Sequence, residues 1–307
     1  MTAGGAVAVV VATRDRPELL ERCLASVRGA LRPEDELVVV DSASQDAGAV
    51  ARVAARHGAR LVRSDRPGAN RARNLGWRAS SAPLVLFTDD DVEVEPGWAD
   101  GYRSGMGAAA FATGWIGAPE GARHRVAVLA AETPYPLDPT TPAPLGHGAS
   151  TAVTRSALER VGGWDESLGA GARFRSAPEA DLYDRLLAAG LRGSYLPQAR
   201  AVHVQWRTDA ELARLHVRYA VGAGARLAKL LRTDRRRLRR ASRELLWDWG
   251  LRDLARETAR LRVGHAGVAL LRLVGYAGGF AAALRTPVVE GHFADSSERA
   301  LAKVTSG

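Results

Sequence analysis

Three consecutive aspartates, Asp89–Asp91, follow an apolar run in LFTDDDVEVEPGW (Leu86–Trp98). Like charges this close disfavour one another's ionisation, so an acidic triplet ending a buried strand needs either solvent or a cation. Strand alternation puts the first and third side chains on one side. Hard carboxylate oxygens in that arrangement suit Mg2+ or Mn2+. Taken alone, the triplet is explained equally well by a solvated acidic turn.

A second stretch changes the balance. GANRARNLG (Gly68–Gly76) has glycines at both ends, which let backbone come close to a ligand, with Arg71 and Arg73 between them. Guanidinium forks and free amides in such a stretch suit a diphosphate. The plain alternative is a polar loop with exposed arginines. Cys23, in LLERCLASV, shares a helical face with Leu19, Leu20 and Val27, so it reads as a small core residue without a catalytic role.

The elements that must position these groups are legible as a rhythm. AVAVVVAT (Ala6–Thr13) is a continuous apolar run, as expected of a strand buried on both faces of a parallel sheet. A loop and helix follow, with Pro17 in the first turn. ELVVVDSASQD (Glu36–Asp46) is a second buried strand ending at Asp41 and a turn. AGAVARVAARHG is a helix closed by glycine, and ARLVRS a third strand. GANRARNLGWRASS is a loop leading into a helix, and APLVLFTDDD a fourth strand. This alternation predicts a mainly parallel α/β sheet with right-handed crossovers, in which ligands bind beyond the carboxyl ends of the strands. Thr13, Asp41 and Asp89–Asp91 all fall there. Further on, Tyr135–Pro144 is a proline-rich loop, SALERVGGWDE a helix with a Gly-Gly stop, and APEADLYDRLLAAGL an amphipathic helix. SYLPQARAVHVQW reads as a strand pair or a strand and turn. From Thr208 the pattern is nearly all helical.

Composition bounds the functions that remain. The chain has 307 residues, 46% hydrophobic and 25% charged, an ordinary globular balance. One cysteine excludes an internal disulfide framework and suits a reducing compartment. Only Lys229 and Lys303 are lysines, against 41 arginines. A Walker A loop is absent, and a Schiff-base lysine within residues 1–228 is excluded. MTAGGAVAVVVATRD lacks the basic start of a signal peptide and reads as a strand. The net charge of +9 is uneven: residues 206–307 hold 20 of the 43 Lys/Arg and 10 of the 34 Asp/Glu, a local balance of +10.

Six segments in order, VAVVVATRDRPELLERCLASV, ELVVVDSASQD, GANRARNLG, VLFTDDDVEVEPGW, STAVTRSALERVGGWDES and EADLYDRLLAAG, make the first 205 or so residues resemble a family 2 glycosyltransferase of GT-A fold. The resemblance implies a GT-A catalytic domain over 1–205 followed by a basic helical region over 206–307. It implies that Thr13 and Asp41 contact a nucleoside, with Arg14, Asn74 and Asp89 on the same donor side. Arg71 and Arg73 would lie near the diphosphate, and Asp90 close to the ribose and the metal. Asp91 would be the direct ligand of Mn2+ or Mg2+, with Asp89 beside it and a late histidine, His203, completing the metal or diphosphate site. His203 as a structural histidine is the alternative. His147, Trp164 and Asp165 would face the acceptor. Members of the family carry Gly-Glu-Asp ahead of x-Asp-Leu-x-x-Arg-Leu, and the Asp of that triplet deprotonates the acceptor. Here Ala177-Pro178-Glu179 occupies those places. Glu179 is then the catalytic base, one methylene longer than usual, with Asp181 the alternative; a pair of acids favoured at a helix N-terminus is the structural reading.

The implied activity is an inverting, metal-dependent glycosyltransferase of hexosyltransferase type. The donor would be linked to UDP, dTDP or GDP, and the acceptor would be a glycan, a lipid-linked sugar or a small molecule. A sugar nucleotidylyltransferase is the enzyme rival, disfavoured because its phosphate-binding lysine has no counterpart before residue 229. A noncatalytic protein that binds anionic surfaces or nucleic acid through RLAKLLRTDRRRLRRASR is the other rival. No recognition motif accompanies that run, so specific nucleic-acid binding is not expected. Val268–Leu284 is apolar but short for a span. It reads either as a peripheral helix at the cytoplasmic face of a membrane or as a helix packed on the catalytic domain or a dimer partner. The expected location is cytoplasmic.

Overall fold

The computed structural model describes residues 5–122, 128–141 and 145–294. Residues 142–144 of the expected proline-rich loop and the end of the basic tail, with Lys303, lie outside them. The elements in chain order are β1 (Val7–Thr13), α1 (Pro17–Gly29), β2 (Glu36–Ser42), α2 (Ala47–Arg56), β3 (Arg60–Ser64), α3 (Ala69–Ala79), β4 (Leu84–Asp89), β5 (Val92–Val94), α4 (Trp98–Gly105), β6 (Phe111–Gly117), β7 (Tyr135–Leu137), β8 (Ser150–Thr154), α5 (Arg155–Val161), α6 (Pro178–Ala188) and β9 (Gly193–His203). Then come α7 (Asp209–Thr233), α8 (Arg235–Ser242), a π-helical stretch (Arg243–Leu251), α9 (Arg252–Ala259), α10 (Val263–Leu284) and the short pair β10 (Val288–Val289) and β11 (His292–Phe293).

The chain divides into two compact units: Met1–Trp164 with Leu182–Trp206, and Asp165–Asp181 with Arg207–Gly307. The first is built on a nine-stranded sheet in the order β3-β2-β1-β4-β8-β6-β9-β5, with β7 beside β9. Strands β1 to β4 are parallel, and β8 runs antiparallel to both β4 and β6. The continuous apolar runs follow from burial on both faces. Val7, Val9 and Val11 pack with Leu20, Leu24 and Val27 of α1, whereas Val10, Val38 and Val40 pack with Ala72 and Trp77 of α3. Each such buried valine contributes about 1.5–3 kcal/mol of transfer free energy.

Local signals set the ends. Pro17 opens α1, and the Asp46 side chain caps α2 by accepting from Ala49 N. Thr154 caps α5, which stops at left-handed Gly162. Two expectations change. Of the two readings of SYLPQARAVHVQW the strand pair falls: the region forms one 11-residue strand, β9, followed by irregular chain, because β5, β6 and β7 all hydrogen-bond to it. In GANRARNLG the helix starts at Ala69, so Asn70, Arg73 and Asn74 are buried helical residues and not a loop.

In the second unit α7 and α10 pack backbone to backbone. A Cβ on Gly224 would sit 2.1 Å from the Tyr276 carbonyl oxygen, and one on Gly279 would sit 2.0 Å from that of Val221. Leu168, Phe174, Ala225, Ala228, Ala283 and Phe293 form a small core there.

Candidate active site

Register brings the strand ends together. Ala12 is opposite Asp89 and Thr13 opposite Asp41, so the carboxyl ends of β1, β2 and β4 are level. After the turn at Asp90 and Asp91, β5 pairs antiparallel with β9, and Val92 opposite His203 delivers that histidine to the acidic triplet. The loops at these ends are held tightly. Asp15 and Ala43 adopt left-handed backbone (φ 55° and 59°), at about 1–3 kcal/mol each for non-glycine residues. Asp15 is fixed there by the Ser44 hydroxyl and by Gln45 N.

The three aspartates have three environments. Asp89 accepts from Arg73 Nη2 at 2.6 Å. Burial pushes its pKa up, but the Arg73 charge and hydrogen bond outweigh that and hold it below the usual carboxylate range. Asp90, 1% exposed, accepts from the Thr13 hydroxyl at 2.7 Å. Burial pushes Asp90 up to about 7, against Arg16 and reinforced by Asp91. Its Oδ1 is buried without a hydrogen bond, with Arg16 Nη2 3.1 Å away as an ion pair only. Asp91 Oδ2 accepts from Trp206 Nε1 at 3.0 Å and from Arg16 Nη1 at 3.3 Å, and its Oδ1 lies 3.5 Å from His203 Nε2. The other ring nitrogen of His203, Nδ1, is buried with no hydrogen bond.

Of the expected metal set, the structure joins Asp91 and His203 and turns Asp89 to Arg73. Among the described residues no three carboxylate, imidazole or thiol groups converge as a preformed metal cluster. Two protein ligands still fit Mg2+ or Mn2+, which take one or two side chains and complete their shell with substrate phosphates and water. Asp90 Oδ1, buried and accepting no hydrogen bond, already has the Arg16 guanidinium as its counter-charge, so the fit to a metal rests on the Asp91 and His203 donor set.

On the expected donor side, Asp41 is 1% exposed, takes the Ser44 amide at 2.9 Å and forms an ion pair with Arg63. Arg14 is exposed and lies 3.3 Å from Asp15. Arg71 is half-buried near the start of α3. Arg73 lies over the Trp164 ring, 4.8 Å from its centroid. Asn74 faces inward: its amide donates to Trp164 O and accepts from Trp164 N, both at 2.9 Å. Both glycines of this stretch are required by the fold. Gly68 needs its φ of 151° ahead of α3, and a Cβ on Gly76 would lie 2.3 Å from Val10 Cγ1, so Gly76 lets α3 sit on β1.

On the expected acceptor side, Trp164 is buried edge-on against Phe87. His147 is half-buried, with its pKa lowered to about 4 by burial first and by the charge of His203 second, Asp89 opposing. Asp165 and Asp181 share Lys229: the ammonium pairs with Asp165 and lies 2.6 Å from Asp181 Oδ1. All three are buried, and Asp165 also accepts from Phe293 N at 2.9 Å. Glu179, by contrast, is half-buried in the first turn of α6. Ala177 ahead of it has φ 60°, so alanine sits in a left-handed conformation. Cys23 is buried, donates to Asp89 O at 3.4 Å, and has its pKa pushed well up by burial.

Arg16, Arg63, Trp206 and Lys229 were not singled out from the sequence, yet each neutralises or hydrogen-bonds an aspartate at or beside these positions. Arg16 could have been found as the arginine three residues beyond Thr13 at a strand end. The partners of Arg63, Trp206 and Lys229 are remote in the chain, and no local pattern marks them.

The profile of Glycosyl transferase family 2 matches residues 8–101. Uncharacterized glycosyltransferases of Mycobacterium tuberculosis and Mycobacterium bovis are each 38% identical over 95 residues, which is 31% of this chain. The chain spans 41% of the length of these curated relatives. A mannosyltransferase of Pyrobaculum calidifontis, solved with GDP-Man and Mn2+, is similar over 99% of this chain and 81% of its own, with TM-score 0.58 and 20% identity. The S. aureus protein TarS (residues 1–349), solved with UDP, is similar over 95% and 97% respectively, with TM-score 0.57 and 13% identity. GalNAc-T7, solved with UDP, GalNAc and Mn2+, covers 75% of this chain and 51% of its own, with TM-score 0.55 and 15% identity. Residues 8–101 are thus similar to the family 2 glycosyltransferases, and the fold of the chain is of GT-A type.

Proposed function

We propose that this protein is an inverting, metal-dependent glycosyltransferase that moves a sugar from a nucleoside-diphosphate donor to an acceptor hydroxyl. The observation that carries the reading is the meeting of Thr13, Arg16, Asp90, Asp91 and His203 at the level carboxyl ends of the sheet. The solved neighbours with GDP-Man, UDP and Mn2+ support it by analogy of fold.

Asp91 and His203 would hold a divalent ion, which supplies positive charge against the departing diphosphate. Asp41 and Thr13 would orient the nucleoside, and Arg71 and Arg73 the phosphates through charge-assisted hydrogen bonds. Arg73 is poised for this by its contact with Asp89. Glu179 would take the proton of the acceptor hydroxyl as its oxygen attacks the anomeric carbon from the face opposite the leaving group, so configuration inverts. Its partial exposure supports Glu179 over Asp181, whose buried carboxylate is engaged by Lys229. His147 is the residue kept for the acceptor. Lys229 is the one lysine among the described residues, and its burial in that ion pair leaves the nucleotidylyltransferase reading without its phosphate-binding lysine.

The test is thermal stability against a panel of nucleoside diphosphates and nucleotide sugars, with and without Mn2+. A metal-dependent shift with one nucleotide class identifies the carrier. No shift with any of them sinks the proposal.

A further inference from the structure

The second unit leaves one face of its most apolar helix uncovered. In α10, 22 residues long, Arg272 is the one Asp, Glu, Lys or Arg, and it pairs with Asp253 of α9; His265 lies in the first turn. One side of α10 is sealed on α7: Gly275 against Ala220, Tyr276 against Gly224, and Gly279 against Val221. The opposite side exposes Leu270 (53%), Leu271 (52%) and Val274 (61%). Ala277, Gly278, Ala281, Ala282 and Leu284 continue it. These positions recur at helical spacing, so they form one uncharged stripe along a helix of about 33 Å. Leu261 and Val263, both more than 80% exposed, extend it at the start. Exposed Arg260 and Arg262 flank that end, and Arg285 the other. Trp247 and Trp249 are exposed on the preceding π-helical stretch. An apolar face this long on a soluble surface marks an interaction site rather than scattered exposure.

Charge identifies the occupant. Residues 206–307 carry an excess of ten positive charges, nearly all arginine, which complements an anionic surface. By length and composition α10 could cross a bilayer. However, its sealed side lies on α7, which carries seven charged residues that hydrocarbon would not accept. A helix with one apolar stripe, a polar support and arginines at its ends lies in the plane of the headgroups. We propose that the exposed stripe of α10, Leu270, Leu271 and Val274 with its arginine flanks, docks this protein on an anionic lipid bilayer. The inference does not depend on the sugar-transfer reading.

Flotation of the full chain with vesicles of phosphatidylcholine and phosphatidylglycerol, against phosphatidylcholine alone, tests it. The unaltered protein floats with the anionic vesicles and is loosened by salt. Leu270→Glu with Val274→Glu, both at exposed positions, lowers partitioning by at least about tenfold without altering the cooperative melting transition. Arg260→Ala and Arg262→Ala each lower it by about fivefold on anionic vesicles only. Failure of the unaltered chain to float at low salt overturns the proposal, as does undiminished flotation of the double glutamate variant. So does a dimer in light scattering that this variant converts to monomer while the unaltered chain ignores vesicles: the face then belongs to a second copy.

Discussion

Asp89, Asp90 and Asp91 are adjacent in the chain, but Arg73 holds the first, Thr13 the second, and Arg16 with Trp206 the third. Substituting them should therefore give different results. Asp91→Ala should lower sugar transfer by at least about a hundredfold and remove the Mn2+-dependent part of nucleotide binding, with the melting temperature nearly unchanged; full activity in that variant would overturn the metal assignment. Glu179→Gln should lower turnover by about 10²–10⁴-fold with donor affinity retained. If Asp181→Asn does this instead while remaining folded, the base is Asp181. His147 adds a pH dependence. Its folded pKa of about 4 lies below its ordinary 6.5, so the unfolded chain takes up the proton first. Its stabilising contribution is complete above pH 6.5 and is lost as pH falls towards 4. His147→Gln should flatten that part of the stability–pH curve, and an unchanged slope would assign the acid loss to other groups.

At the scale of elements, α3 sits low on the sheet because Gly76 has no Cβ to meet Val10. Gly76→Ala should cost about 1–3 kcal/mol through overpacking, more than the roughly 1 kcal/mol of helix propensity it gains, and should shift Arg73 and Asn74 with the helix. Chemical denaturation measures the net loss; a gain in stability would mean that the α3–β1 contact yields easily. The segment leading to α6 is the opposite case. Ala177, an alanine rather than a glycine, holds left-handed backbone. Left-handed backbone costs a non-glycine residue about 1–2 kcal/mol, so Ala177→Gly should raise the melting temperature slightly, and a drop would refute the strain.

For the molecule as a whole, the chain's charges are sorted. The first unit keeps its arginines near neutrality with its acids, and the second concentrates a positive excess around an apolar helix. Inside that second unit one lysine is buried between two aspartates. Lys229→Met removes the ammonium that Asp165 and Asp181 share, and breaking such a buried pair costs about 3–5 kcal/mol. Loss of less than about 1 kcal/mol by urea unfolding would show that the pair is dispensable.

Whatever depends on neighbours along the chain was legible from the residues alone. Both-faced burial made β1, β2 and β4 continuous apolar runs, their alternation with helices dictated a mainly parallel sheet, and the acidic triplet, Thr13 and Asp41 fell at strand ends because those runs stop there. Tertiary structure decided which groups share each carboxylate. Arg63 reaches Asp41, and Trp206 and His203 reach Asp91, only because strand order and the β5–β9 register bring remote segments together. The same holds for the role of Gly76 and for the burial of Asp181 beside Lys229. Local pattern encodes the period and length of an element; contacts between elements depend on register and side-chain direction, which no single segment carries.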